Sequence, residues 1–199
     1  GLLAAQRPPW EAALAEPATF WPATPTVERY RSTQLINSRS FTIEVALDYA
    51  PGDQGVLVAH GDQGGGYVLY VENDHLHLAY NGYGVMTALD GGPLAIGETT
   101  LTLSMEAPGA KLWNATLRVD GTVTAQADGL PMLSSMAPFE GINIGTDRRS
   151  PVSWELHQRH GTFPWTGILH TVTYTPGELA PDSAAHWTDI MREVGTRFD

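Results

Sequence analysis

The sequence predicts an all-β protein, a two-sheet antiparallel sandwich of the jelly-roll kind, and three observations support this fold class. Short stretches that alternate apolar and polar residues recur along the chain, which is the period of a strand with one buried face. Turn-forming residues are abundant, with 21 glycines and 14 prolines among 199 residues. Patterns with helical spacing are almost absent before the C-terminal tail. Many short strands separated by frequent turns are typical of sandwiches.

The first 37 residues are predicted to be a proline-rich strap. Five prolines lie between positions 8 and 25, and this density excludes a long helix. Trp10–Ala15 has room for one or two helical turns, and Phe20 and Trp21 are the expected anchors of an otherwise extended segment. The segment either crosses its own domain or packs on a neighbouring one. Because the chain begins with Gly1 and not with methionine, we expect a piece of a longer protein.

The sandwich itself is predicted to span residues 38–176. In its clearest strand, Ser40–Leu47, every second residue is apolar. The same pattern predicts further strands at Val56–His60, Tyr67–Glu72, His75–Tyr80, Thr99–Met105, on both sides of Asp120-Gly121, and at Phe139–Gly145 and Thr166–Tyr174.

Several turns and a tail complete the predicted fold. Asn73-Asp74 and Asp120-Gly121 are expected to be two-residue hairpin loops, because these residue types tolerate positive φ angles. The glycine-rich run Gly61–Gly66 lies between two strands, and we interpret it as a mobile hairpin loop, since a phosphate cradle would need a helix directly behind it. Residues 177–199 are predicted to form a tail with a short amphipathic helix at Ala184–Val194.

The composition argues against several classes of function. The formal net charge is -11 and Lys111 is the single lysine, so nucleic acid and anionic membranes would be repelled. The absence of cysteine excludes disulfides, thiolate metal sites and a cysteine nucleophile. No apolar run approaches the ~20 residues that span a bilayer. The composition does not indicate in which cellular compartment the protein acts.

The sequence carries none of the common motifs of catalysis. It has no GxSxG, HExxH, Walker or EF-hand pattern. A glycoside hydrolase on such a scaffold needs two carboxylates that share one face, whereas Glu44, Glu72 and Glu106 stand singly. We therefore predict that this chain has no catalytic residues.

Three histidines are the weak candidates for a zinc site. His75 and His77 share one face of a predicted strand, and His60 lies on a predicted neighbouring strand. Imidazoles gathered on one sheet face can hold zinc. The alternative is that they are ordinary surface or half-buried side chains.

A single acid is the weak candidate for a calcium site. Asp147 lies in the polar loop Asn143–Ser153, where carbonyl oxygens could complete a calcium shell. Two adjacent arginines disfavour a cation there, so an ion pair or a turn cap is the first alternative. A surface that faces a partner is the second alternative.

Tryptophans are the candidates for contacts with a ligand or a neighbouring domain. Trp113, Trp154 and Trp165 lie in or near predicted loops, and Trp21 lies in the strap. Indole rings stack on sugars and anchor interfaces. Each of them is otherwise a core or rim residue.

Several short motifs, taken in order, resemble the C-terminal domain of large bacterial arylsulfatases. They are Gly55–His60, Gly66–Val71, His75–Asn81, Val119–Gly121, Ile142–Val152 and Phe163–Ile168. The resemblance covers roughly residues 7–174. It implies a concanavalin A/laminin G-like sandwich that follows an alkaline-phosphatase-like sulfatase domain.

The resemblance also implies a division of labour within a parent enzyme. Such sulfatases use a formylglycine, made within C/S-x-P-x-R, and a divalent metal, and neither that motif nor the metal-binding acids occur here. No cofactor is expected in this chain. The first hypothesis is a non-catalytic accessory domain that packs on the sulfatase domain of the same polypeptide and helps to shape access of a sulfated substrate. The alternative is a free-standing carbohydrate-binding module or lectin.

Overall fold

The computed structural model describes residues 16–134 and 137–197, and these residues form two antiparallel sheets. The strands are β1 (Ala18–Phe20), β2 (Arg39–Tyr49), β3 (Gly55–Asp62), β4 (Gly65–Glu72), β5 (His75–Gly82), β6 (Val85–Pro93), β7 (Gly97–Gly109), β8 (Leu112–Val119), β9 (Thr122–Pro131), β10 (Ile142–Ile144) and β11 (Ile168–Leu179). The larger sheet has the order β1-β11-β2-β7-β8-β9, and the smaller sheet has the order β10-β3-β4-β5-β6. The predicted sandwich is confirmed.

The main core lies between the two sheets, where alternate residues of each strand meet. In β2, Phe41, Ile43 and Val45 are buried, as their spacing predicts. In β5, Leu76 and Leu78 belong to the same buried cluster. Removing such side chains from water contributes roughly 25 cal/mol per Å² of apolar area, which explains the alternation without any reference to function.

Within residues 16–134 and 137–197, three helices accompany the sheets: α1 (Arg29–Gln34), α2 (Trp154–His160) and α3 (Ser183–Arg197). The predicted C-terminal helix corresponds to α3. The sequence did not predict α2, which begins after Ser153, whose Oγ accepts a hydrogen bond from the Leu156 backbone N–H at 3.2 Å. No helix within the described ranges is long and apolar enough to cross a membrane.

The outer faces of the two sheets differ in character. On the smaller sheet, α2 covers a second apolar cluster: Val56, Ala59, Val68, Tyr70, Ala79, Val152, Leu156 and Phe163. On the larger sheet, the outward positions are mostly polar, and Thr173, Glu44 and Thr102 lie side by side on β11, β2 and β7. The smaller sheet is therefore the one on which an additional layer is built.

The N-terminal segment touches the edges of both sheets. Phe20 of β1 pairs with Val172 of β11, and Val27 forms a bridge with Ile142 of β10. Gly141 permits that bridge, because a Cβ there would lie 1.7 Å from the Val27 carbonyl oxygen. Residues 1–15, with the helical turns expected at Trp10–Ala15, fall outside the described residues.

Two hairpin predictions are confirmed, and three strand boundaries are corrected. Asn73-Asp74 and Asp120-Gly121 connect their strands with positive φ angles. The Gly61–Gly66 run is mostly strand, since only two of its residues lie outside β3 and β4. The strand expected at Phe139–Gly145 is limited to β10. The last strand, β11, continues through Pro176 to Leu179 after a register shift.

Candidate functional site

The histidine candidates lie on opposite faces of the smaller sheet, so the predicted zinc cluster does not form. His60 is fully buried between the sheets, where its Nδ1 lies 3.0 Å from the Tyr67 hydroxyl. Burial lowers the pKa of His60 to about 3, which keeps the ring neutral. The sequence prediction assumed that neighbouring strands presented their imidazoles to the same side, and the pairing of β3 with β4 places His60 inward.

His75 and His77 do lie together on the outer face, but they have other partners. His75 Nδ1 contacts Asp90 at 2.9 Å, and the His77 ring stacks on Tyr70 with centroids 5.1 Å apart. In residues 16–134 and 137–197, no group of three histidines or acids is arranged to hold a metal ion. The two rings are therefore parts of a polar and aromatic surface.

Asp147 acts as a loop cap and not as a partner of the adjacent arginines. Its Oδ2 accepts a hydrogen bond from the Val152 backbone N–H at 2.9 Å, and its own backbone N–H donates to the Thr162 carbonyl. Burial, together with the nearby acids Glu140 and Asp62, raises the pKa of Asp147 to about 7. The side chain closes its own loop before α2, and the backbone N–H joins that loop to the segment after α2.

The four tryptophan candidates fall into three environments. Trp113 lies inside β8 and is fully buried, with its Nε1–H donated to the Arg39 carbonyl at 2.8 Å, so it cannot meet a ligand. Trp165 is half-buried against the core. Trp21 and Trp154 are exposed, at 58% and 52%. Trp21, Trp154 and Trp165 therefore remain candidates for contact with a ligand or a neighbouring domain.

Trp165 lines an open cleft of about 700 Å³ at the side of the sandwich where β1 and β10 form the sheet edges. We call it the tryptophan cleft. It is formed by the turn after β1, the loop after β10 and the loop before β11, and its lining includes Pro22, Ala23, Thr146, Arg148, Pro164, Trp165 and Ile168. Trp21 directly precedes the first of these residues. The volume lies in the range of about 300 to 1,000 Å³ that is usual for ligand sites.

Backbone hydrogen bonds hold the loops of this cleft against the smaller sheet. Gly145 N–H donates to the Leu57 carbonyl at 2.9 Å, and Trp165 N–H donates to the Gly145 carbonyl at 2.9 Å. Val56 N–H donates to the Phe163 carbonyl at 2.7 Å. The cleft is thus supported by main-chain bonds that do not depend on a ligand.

The chemistry of the cleft combines an indole, an exposed aliphatic side chain, hydroxyl groups and a cation. Ile168 is 58% exposed, although it opens a strand. The Thr146 hydroxyl donates to the Thr162 carbonyl at 3.1 Å and keeps its lone pairs for a further donor. Arg148 is exposed, and it forms no ion pair with any residue in the described part of the chain. Such a mixture suits a ligand with an apolar face, several hydroxyls and a negative charge.

Sequence reasoning found Trp165 but missed the role of its neighbours. It treated Arg148 as an obstacle to calcium or as an ion-pair partner of Asp147, and it assigned no function to Ile168 or Thr146. The signal that could have found the cation is the adjacent pair Arg148-Arg149 in a chain whose net charge is -11. The clustering of these residues depends on tertiary contacts.

Known proteins resemble this chain in fold. No family model matches the chain, and no curated protein does. Solved structures do match. The CBM40 domain of the Ruminococcus gnavus IT-sialidase, bound to α2,3-sialyllactose, has a TM-score of 0.55 at 15% identity, over 86% of this chain and 97% of that chain. The leech intramolecular trans-sialidase has a TM-score of 0.53 at 13% identity, over 84% of this chain and 26% of that chain. Mouse laminin α1 domains LG4-5 have a TM-score of 0.47 at 10% identity, over 82% and 40%.

At these identities the similarity shows the fold alone. The chain is a jelly-roll sandwich, as predicted, and its fold is similar to that of the CBM40 domain. Nothing in the comparisons supports the predicted origin in an arylsulfatase.

Proposed function

We propose that this chain is a carbohydrate-binding module and that the tryptophan cleft takes a glycan with an acidic sugar. The observation that carries the proposal is an exposed Arg148 beside the Trp165 indole, on a fold that resembles a module bound to α2,3-sialyllactose. This corresponds to the alternative drawn from the sequence.

The charges of the molecule support an anionic ligand at this point. A protein with a net charge of -11 repels anions in general, so an anion needs a local cation to bind. The guanidinium of Arg148 matches a carboxylate in shape and can donate two parallel hydrogen bonds to it. Trp165 and Ile168 offer apolar surface to the carbon face of a sugar ring.

The first experiment measures binding of α2,3-sialyllactose and of lactose to the wild type and to Arg148→Ala. We expect the wild type to prefer the acidic sugar and the variant to lose about tenfold in affinity for it, since a charged hydrogen bond is worth roughly 1.5–3 kcal/mol. Lactose should bind equally to both proteins. Arg148 is exposed, so the substitution should leave the fold intact.

Arg192→Ala, which removes an exposed arginine of α3, is the matched control and should bind like the wild type. The chain is expected to bind without a cofactor, so the affinity should persist in EDTA. If Arg148→Ala binds the acidic sugar as tightly as the wild type does, the assignment of this cleft is overturned.

A second candidate is an accessory module that packs on a neighbouring domain. Exposed aromatic residues favour it, since Tyr30 is 62% exposed and Phe139 is 59% exposed with the Arg29 guanidinium 4.7 Å above its ring. Such residues are enriched at interfaces. This candidate predicts that Tyr30→Ala and Phe139→Ala weaken docking to a flanking domain while sugar binding is unchanged, as a co-purification of the separated domains would measure.

A further inference from the structure

A second recess lies beside α2, on the outer face of the smaller sheet. It is a groove of about 330 Å³ between α2 and the strands β5 and β6. We call it the helix groove, and its main residues are Tyr70, Asn81, Met86, Trp154, Glu155 and Arg159. It shares no lining residue with the tryptophan cleft. The function proposed above does not use it.

Trp154 forms an aromatic platform at the mouth of this groove. Its indole is 52% exposed, and its ring stacks on His157 with centroids 5.2 Å apart and planes at 25°. The imidazole supports the ring from one side, so little conformational freedom is lost when a ligand covers the exposed part. Met86, 46% exposed, adds apolar surface to the lining.

A compensated set of charged groups lies beside that platform. Arg159 contacts Glu72 through Nε and Nη2, both at 3.2 Å, and contacts Glu155 through Nη1 at 3.1 Å. His160 also bonds to Glu72. The arginine is held by two carboxylates and has no excess charge for an anion, whereas the exposed Glu155 carboxylate can still accept hydrogen bonds from hydroxyl groups.

The end of the groove near the turns is fixed by one buried amide. Asn81 Nδ2 donates to the Gln63 carbonyl at 2.9 Å and to the Val152 carbonyl at 3.0 Å. Its Oδ1 accepts from the Gly84 backbone N–H at 2.7 Å. This side chain ties the β3–β4 turn, the β5–β6 turn and the approach to α2 together, so the groove is formed before any ligand arrives.

We propose that the helix groove is a separate binding site for a neutral sugar ring. An aromatic platform next to hydrogen-bonding groups of both kinds recognises a pyranose, which has a carbon face and a rim of hydroxyls. Glu155 accepts from these hydroxyls, and Arg159 donates to them through an N–H that its carboxylate partners leave open. Because Arg159 is already paired with both glutamates, the site offers an acidic sugar no uncompensated cation. The site requires no binding in the tryptophan cleft.

The test is an NMR titration of the ¹⁵N-labelled chain with methyl glycosides of glucose, galactose, mannose and N-acetylglucosamine. At least one of these should shift the indole N–H resonance of Trp154 and the amide of Glu155, with a dissociation constant on the order of 1 mM. In Trp154→Ala, the affinity read from the Glu155 and Met86 amides should fall about tenfold. Tyr30→Ala, an exposed aromatic outside both recesses, is the matched control and should bind like the wild type.

The outcomes separate the two sites. Arg148→Ala should bind neutral sugars in the groove as the wild type does, and Trp154→Ala should keep its affinity for α2,3-sialyllactose. The proposal is overturned if none of the four glycosides moves the Trp154 and Glu155 resonances, or if Trp154→Ala binds them unchanged. In either case, the proposal for the tryptophan cleft is tested separately, by the binding of α2,3-sialyllactose.

Discussion

The tryptophan cleft and the helix groove each contain an arginine, and they differ in how the charge of that arginine is compensated. Arg148 in the cleft has no ion pair with the described residues, whereas Arg159 in the groove is held by Glu72 and Glu155. Each recess also has a tryptophan, half-buried in the cleft and exposed in the groove. Aromatic surface is therefore common to both, and charge compensation is what separates an acidic ligand from a neutral one.

The largest expected effect concerns Asp147, which lies between Thr146 and Arg148 of the cleft and bonds to Val152 of the groove. Its folded-state pKa of about 7 exceeds its ordinary value of 3.8, so the folded chain binds the proton more tightly than the unfolded chain. The stabilisation is complete below about pH 4 and is lost as the pH rises through 7, in total about 4 kcal/mol. Asp147→Asn should be the more stable protein at pH 8, by roughly 2–4 kcal/mol, and the difference should vanish at pH 4.

Urea denaturation of both proteins across this pH range measures the difference. His60 contributes the opposite slope, since its pKa of about 3 makes stability fall as the pH drops below 6.5. That contribution is the same in both proteins and cancels in the comparison. An unchanged difference between pH 4 and pH 8 would show that folding does not raise the pKa of Asp147.

The next largest effect concerns Asn81, which lines the groove and does not line the cleft. Asn81→Ala removes three hydrogen bonds and leaves two carbonyls without their donor, so we expect a loss of about 2–3 kcal/mol in the free energy of unfolding. Neutral sugars should no longer bind in the groove. Affinity for α2,3-sialyllactose should stay within about twofold of the wild type, which calorimetry at a temperature well below unfolding can measure.

A smaller effect tests the support of the platform in the groove. His157→Ala removes the ring that stacks on Trp154, and binding of neutral sugars should weaken about threefold, because a stacked pair contributes roughly 0.5–1.5 kcal/mol. The same titration on Trp154 and Glu155 resonances measures it. Equal affinities would show that the indole is held without the imidazole.

The smallest effect comes from salt. Binding of an acidic sugar at Arg148 should weaken by a few-fold between low salt and about 1 M salt, because the exposed charge is screened. Binding of a neutral sugar at the groove should change little. A groove that is as salt-sensitive as the cleft would contradict the assigned difference in charge.

Much of the sandwich could be predicted from local patterns, whereas the extra layer on the smaller sheet could not. The alternation in β2 and β5 identifies the buried side chains, and Asn73-Asp74 and Asp120-Gly121 identify their hairpins. The helix α2 escaped prediction, because its seven residues show little helical periodicity and depend on packing against the sheet. The mobile loop predicted at Gly61–Gly66 is wrong, because glycines also occur where two strands approach each other closely. A Cβ on Gly66 would lie 2.3 Å from the His60 carbonyl oxygen.

The candidate sites, like α2, could be predicted only in part from the sequence. The sequence named Trp154 and Trp165 but could not separate them from Trp113, which belongs to the core. It also could not place His60 on the opposite side of the sheet from His77. Exposure of a side chain depends on which strand and which loop lie next to it, and a single sequence without structure does not show these neighbours.

The fold class and the acidic character of the molecule follow from the amino-acid sequence alone. The buried face of most strands also follows from it, since a period of two is a local property of the chain. The places where ligands can approach depend on tertiary contacts. Pro22, Arg148 and Trp165 are distant in sequence and line one cleft, and Met86 and Trp154 line one groove. Side chains buried between the sheets follow a local alternation that the sequence shows. A binding site, in contrast, needs segments that are distant in sequence to lie together, and strand order and loop packing determine which segments do so.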